Sequence, residues 1–134
     1  MSPVRTALLI QFLLVLTACS SEKRELKRVD SPDQATTAVL MQELGGGATV
    51  SSVYSIYLSE DKGELSEPIL TATYCGGLSV AWDGSRKLLV EYDSECNVRQ
   101  FINYWWSKSA IQKAQHATVE IVLVRRPDRG DSSQ

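Results

Sequence analysis

Residues 78–92 constrain the fold more than any other stretch. Leu78, Val80 and Trp82 alternate with Ser79 and Ala81; after Asp83-Gly84-Ser85-Arg86, Leu88, Val90 and Tyr92 alternate again. Alternation at period two gives each run one apolar face. Asp-Gly between such runs marks a hairpin, because glycine accepts positive φ without steric cost. A lone hairpin is marginal in water, so its apolar face requires further strands. The sequence offers them at 36–43, ended by Gly45-Gly46-Gly47, and at 53–59, where Tyr54, Ile56 and Leu58 share a face. Others are expected at 69–74, closed by Cys75-Gly76-Gly77, at 98–105 and at 118–125. In the last, Val119, Ile121 and Leu123 oppose Val122 and Val124, so that strand should be central or covered on both sides. The pattern predicts an all-β domain, an antiparallel meander of about seven strands that curls into a small sandwich or partly open barrel. A short helix is expected near 109–116, with Ser107 or Ser109 as its cap.

The segment before Cys19 has a different logic. Arg5 supplies a positive start, residues 7–16 form an apolar run broken only by Gln11, and Leu16-Thr17-Ala18-Cys19 reads as a lipobox. This is the pattern of a cleaved export signal, and the run falls short of the roughly 20 apolar residues that span a bilayer. The expected organisation is a lipoprotein signal at 1–18, a lipidated tether at 19–30, a β domain at 31–126 and a disordered tail at 127–134. An acylated Cys19 carries enough hydrocarbon for stable anchoring. Ser20 follows the cysteine with no Asp there, so in a two-membrane bacterium the expected address is the outer membrane, facing the periplasm. Glu22, Glu25 and Asp30 interleave with Lys23, Arg24, Lys27 and Arg28, a mixture that reads as a solvated tether.

The full chain has a formal net charge of −2, and losing Arg5 makes the remainder one unit more negative. With no basic stripe, nucleic acid is not an expected partner. The expected partners are a membrane, through the lipid, and an envelope protein. Beyond Cys19 only Cys75 and Cys96 remain. An even pair in an oxidising compartment reads as a disulfide. Free thiols, or a metal site shared with His116, are the alternatives, the latter without CxxC or HxxxH spacing. In a meander the two cysteines end strands that flank a third, roughly 9.5 Å apart, so bending of the adjoining segments would have to close the gap.

Catalytic chemistry has few candidates. His116 is the single histidine, and no Gly-x-Ser-x-Gly elbow occurs. Glu60, Asp61, Glu64 and Glu67 lack the oxygen spacing of a calcium loop and read as a solvated loop, as do Asp93 and Glu95. The triple glycine is not followed by Lys-Ser/Thr and a helix start, so it is no phosphate loop. Neither metal nor cofactor is expected. In Tyr104-Trp105-Trp106, consecutive side chains on a strand point to opposite faces. Either Trp105 and Trp106 are both buried beneath 107–117, or one is exposed as a contact site.

Arg28-Val29-Asp30-Ser31-Pro32-Asp33, Ala38-Val39-Leu40, Gly46-Gly47-Ala48-Thr49 and Tyr54-Ser55-Ile56-Tyr57-Leu58 resemble a family of small uncharacterised bacterial lipoproteins. The likeness continues through Leu78 to Tyr92 and Tyr104-Trp105; Gln34 stands where the family's turn carries Gly. The resemblance implies an anchored β domain and carries no activity or functional residue. The expected function is a non-catalytic envelope lipoprotein, a binding or accessory module. One alternative is an inhibitor of a lysozyme-like cell-wall enzyme, suggested by Tyr74-Cys75-Gly76-Gly77 before an alternating strand. Another is a carbohydrate-processing enzyme using the acidic loop and Trp105 or Trp106.

Overall fold

Alternating apolar residues form two facing sheets. The computed structural model describes residues 21–45, 51–107 and 118–127. Among them are nine strands: β1 (Glu22–Asp30), β2 (Thr36–Leu44), β3 (Val53–Glu60), β4 (Leu70–Thr73), β5 (Leu78–Trp82), β6 (Lys87–Tyr92), β7 (Asn97–Phe101), β8 (Tyr104–Trp106) and β9 (Thr118–Arg125). One sheet has the order β1-β2-β3-β4-β7 and the other β5-β6-β9-β8. Ala38, Leu40, Ile56, Leu58, Leu70 and Ala72 of the first sheet pack against Val80, Leu88, Val90, Val119 and Ile121 of the second. This is a small all-β sandwich, not closed into a barrel. The expected helix near 109–116, Cys19 and the tail beyond Pro127 lie outside the described residues.

Three sequence expectations need correction. Residues 22–30 are no free tether: β1 is bonded along its length to β2, with one register shift between Glu25 and Lys27. Only Val29 in it is half-buried, the rest being exposed. Charged residues with no apolar alternation suit an edge strand, where they discourage pairing with other chains. The strand is tied to the second sheet as well. Lys27 Nζ donates to the Val80 carbonyl at 3.1 Å, and Trp82 Nε1 donates to the Val29 carbonyl at 3.0 Å.

Next, the run 98–105 is two strands in different sheets. The Ile102 N–H still donates to Ile69 O of the first layer, whereas Asn103 O accepts from the Ile121 N–H of the second. The chain changes layers at that peptide, as strands do at sandwich corners. Finally, the topology departs from a simple meander. β6 and β9 pair in parallel, while β9 is central between β6 and β8 as its two apolar faces predict.

The turn between β1 and β2 explains the unusual Gln34. Its N–H donates to Ser31 O at 2.8 Å, and Gln34 then takes a φ of 60°, a left-handed position that glycine fills without a Cβ penalty. Ser31 Oγ donates to Asp33 Oδ1 at 2.6 Å and accepts from the Thr36 N–H. The Ala35 N–H also donates to Asp33 Oδ1. These bonds hold the Asp33 carboxyl below its ordinary value of 3.8, the Ser31 hydroxyl first and the Ala35 amide next.

Candidate functional site

The two cysteines meet because the hairpin between them leaves the sheet. After β4, Cys75-Gly76-Gly77 carries the chain into β5 of the second layer, and residues 93–96 bring it back. With β5 and β6 gone, β4 and β7 become direct neighbours. Cys75 and Cys96 are paired as a disulfide with Cα atoms 4.2 Å apart. The separation of two strand spacings expected of a meander does not arise.

Beside this bridge lies a cleft of about 710 Å³ lined by Gly76, Gly77, Asp93, Ser94, Glu95, Arg126 and Pro127. Arg126 organises one wall. Its Nε donates to Glu91 Oε2 at 3.2 Å, Nη1 to Asp93 Oδ1 at 3.4 Å and Nη2 to Ser79 Oγ at 2.9 Å. Its backbone N–H donates to Tyr92 O. Gly77 gives that packing its room: a Cβ there would lie 2.6 Å from Asp93 Oδ2 and 2.9 Å from Arg126 Nη1, so one of those side chains would have to shift. The guanidinium spreads its donors over two carboxylates and a hydroxyl, so it is committed within the fold. Ser79 faces a cation and not a base, so this contact does not activate it as a nucleophile. Tyr74, immediately before the bridge, has a φ of 58° and is 65% exposed. A bulky residue in that region is a backbone outlier.

The opposite end of the sandwich carries aromatics. Across the β8/β9 pair, Tyr104 faces Glu120, Trp105 faces Val119 and Trp106 faces Thr118. Cross-strand partners share a face, so Trp105 turns inward with buried Val119 and packs against the core. Tyr104 and Trp106 turn outward and are 49% and 56% exposed. Trp106 is thus exposed, and Trp105 is half-buried against the core. Nearly all of the 107–117 segment expected to bury both indoles lies outside the described residues. The outward face continues across the sheet through Val122 opposite Leu89, and Leu89 opposite Ala81. Phe101 and Ile102, at the change of layers, are also exposed. Ser107 Oγ donates to Glu60 Oε1 at 2.9 Å, tying the end of β8 to the end of β3.

The remaining sequence candidates are scattered. Asp61 and Lys62 adopt positive φ in the loop after β3, and Glu64 and Glu67 are exposed. Among the described residues, no three His, Cys, Asp or Glu side chains converge as metal ligands would. His116 and most of the triple glycine lie outside the described residues. Arg126 and Tyr74 had no sequence motif; the only hint was a glycine pair beside a cysteine. Comparison with protein-family models, with curated proteins and with solved structures finds no match.

Proposed function

We propose that this chain is a lipid-anchored envelope lipoprotein whose sandwich is a non-catalytic binding or accessory module. The observation that carries the reading is the outward pair Tyr104 and Trp106 on the short edge strand β8. Large aromatic rings left in water are costly to expose and are enriched where proteins dock. The pair stands at the Glu60 end of β3, whereas the chain enters from residue 21 at the Val53 end, because Glu43 pairs with Val53 and β1 begins opposite Leu44. Seven strand steps separate those ends, roughly 23 Å. A module tethered at one end and aromatic at the other would hold a partner clear of its membrane. The lipobox, the resemblance to small lipoproteins and Ser20 support the anchor and an outer-membrane address facing the periplasm.

The test has two arms. Mass spectrometry of the chain made in a bacterial host should find residues 1–18 removed and fatty acyl mass on Cys19; an intact leader overturns the anchor. Cross-linking from envelopes should give a discrete adduct that Trp106→Ala abolishes and Trp82→Phe leaves in place. An adduct indifferent to Trp106, or turnover of an envelope substrate by the purified domain, overturns the binding-module reading.

A further inference from the structure

We infer that the sandwich stands end-on against a lipid surface, with Leu44 and Tyr74 touching the headgroup layer. This rests on the anchor at Cys19 proposed above and adds which end of the domain meets the bilayer. Glu22, the first residue of β1, follows Cys19 by three positions. Three residues of fully extended chain span at most about 11 Å. Because β1 is bonded to β2 from Glu22 onward, no further slack exists, and the corner of the first sheet is held within that distance of the acylated residue.

The register shows what else lies at that end. Lys23 pairs with Glu43, Glu43 with Val53, Val53 with Thr73, and Thr73 with Asn97. Tyr74, one residue past Thr73, is therefore three strand spacings from the β1 corner, roughly 15 Å. The second sheet is aligned the same way. Lys27 reaches Val80 and Val29 accepts from Trp82, so β1 and β5 advance together and β5 begins in the half of the sandwich where β1 begins, about level with Glu25. Among the described residues, Leu44 and Tyr74 are large apolar residues exposed at this end of the first sheet, at 37% and 65%, and Val124 near the end of β9 is 40% exposed. Tyrosine suits the headgroup layer, where an apolar ring and a polar hydroxyl are both satisfied. The left-handed backbone of Tyr74, next to the disulfide, places that ring where the chain turns out of β4. Tyr104 and Trp106 then face away from the bilayer.

The test uses the acylated chain, labelled with fluorotyrosine at its five tyrosines, in vesicles of phosphatidylethanolamine and phosphatidylglycerol. Tyr74→Phe and Tyr104→Phe assign the two fluorine resonances. A nitroxide on the lipid headgroup should abolish the Tyr74 signal and leave that of Tyr104. Equal attenuation of the two, or loss of Tyr104 alone, overturns the orientation while acyl mass on Cys19 leaves the anchor standing. A chain without acyl mass on Cys19 overturns the anchor, and the orientation with it.

Discussion

Cutting the Cys75–Cys96 bond should destabilise the domain more than any single surface change. The sequence separation is 21, and closing a loop of that size removes chain entropy worth about 3 kcal/mol. For a domain of this length that corresponds to a fall in Tm of roughly 12–25 °C. The loss should concentrate at one place. β7 is an edge strand paired only with β4 through four residue pairs, with a register shift between Thr71 and Ala72. Without the bond, Asn97–Phe101 keeps a short, interrupted ladder. The assay compares urea unfolding of the oxidised chain, the reduced chain and Cys75→Ala/Cys96→Ala, with amide exchange read strand by strand. Reduced chain and double variant should fall together, and β7 amides should exchange before those of β2 and β3. Cys75 also packs against the core, so a deficit in the alanine variant alone would report lost packing. A reduced chain as stable as the oxidised one refutes the loop-closure argument.

Three further outcomes follow from the geometry. Gln34→Gly should stabilise the fold by up to about 1 kcal/mol, read as a higher urea midpoint, since a left-handed non-glycine residue costs about 1–2 kcal/mol and glycine returns part of that as unfolded-chain entropy; a lower midpoint contradicts the turn assignment. The depressed Asp33 carboxyl should stabilise the fold above its unfolded pKa near 3.8 and lose that contribution as pH falls through its lower folded value. The stability gap between the parent chain and Asp33→Ala should accordingly be constant at neutral pH and shrink in acid; a gap independent of pH refutes the linkage. Gly77→Ala should cost up to about 1 kcal/mol, the low end of the overpacking range because the Asp93 and Arg126 side chains can shift into the cleft, and less in an Asp93→Ala background. Additive costs in that double-mutant cycle would refute the contact.

What could be read from residues follows from where apolar side chains are half-buried. β2, β3, β5, β6 and β9 have alternating or two-faced apolar runs, and their expected and observed bounds differ by a residue or so. β1 was illegible because an exposed edge strand needs no apolar face, and its ladder is made by backbone groups common to all sequences. The run 98–105 read as one strand because alternation records inward and outward, not which sheet is being entered. At the aromatic site, alternation predicted that Trp105 and Trp106 diverge; only the pairing of Trp105 with Val119 shows which one turns to the core. Arg126 was invisible for the opposite reason. Its partners, Ser79, Glu91 and Asp93, lie on two other segments, and no local spacing joins them to a residue 33 positions or more away.

The cysteines, however, held more topological information than alternation did. A disulfide tolerates Cα atoms about 4.4–6.8 Å apart, close to the 4.2 Å found, whereas strands flanking a third are roughly 9.5 Å apart. A bond from 75 to 96 and a 78–92 hairpin lying between its ends in one sheet are therefore hard to reconcile. Retaining both requires the hairpin to leave, and a departing hairpin with one apolar face must pack back over the sheet it left. That choice makes a sandwich and not a flat meander. It also creates the β4/β7 neighbours that the bond staples and opens the cleft between the departing Gly76-Gly77 and the returning Asp93-Ser94-Glu95. The bridge and the cleft beside it are thus consequences of the same change of layers.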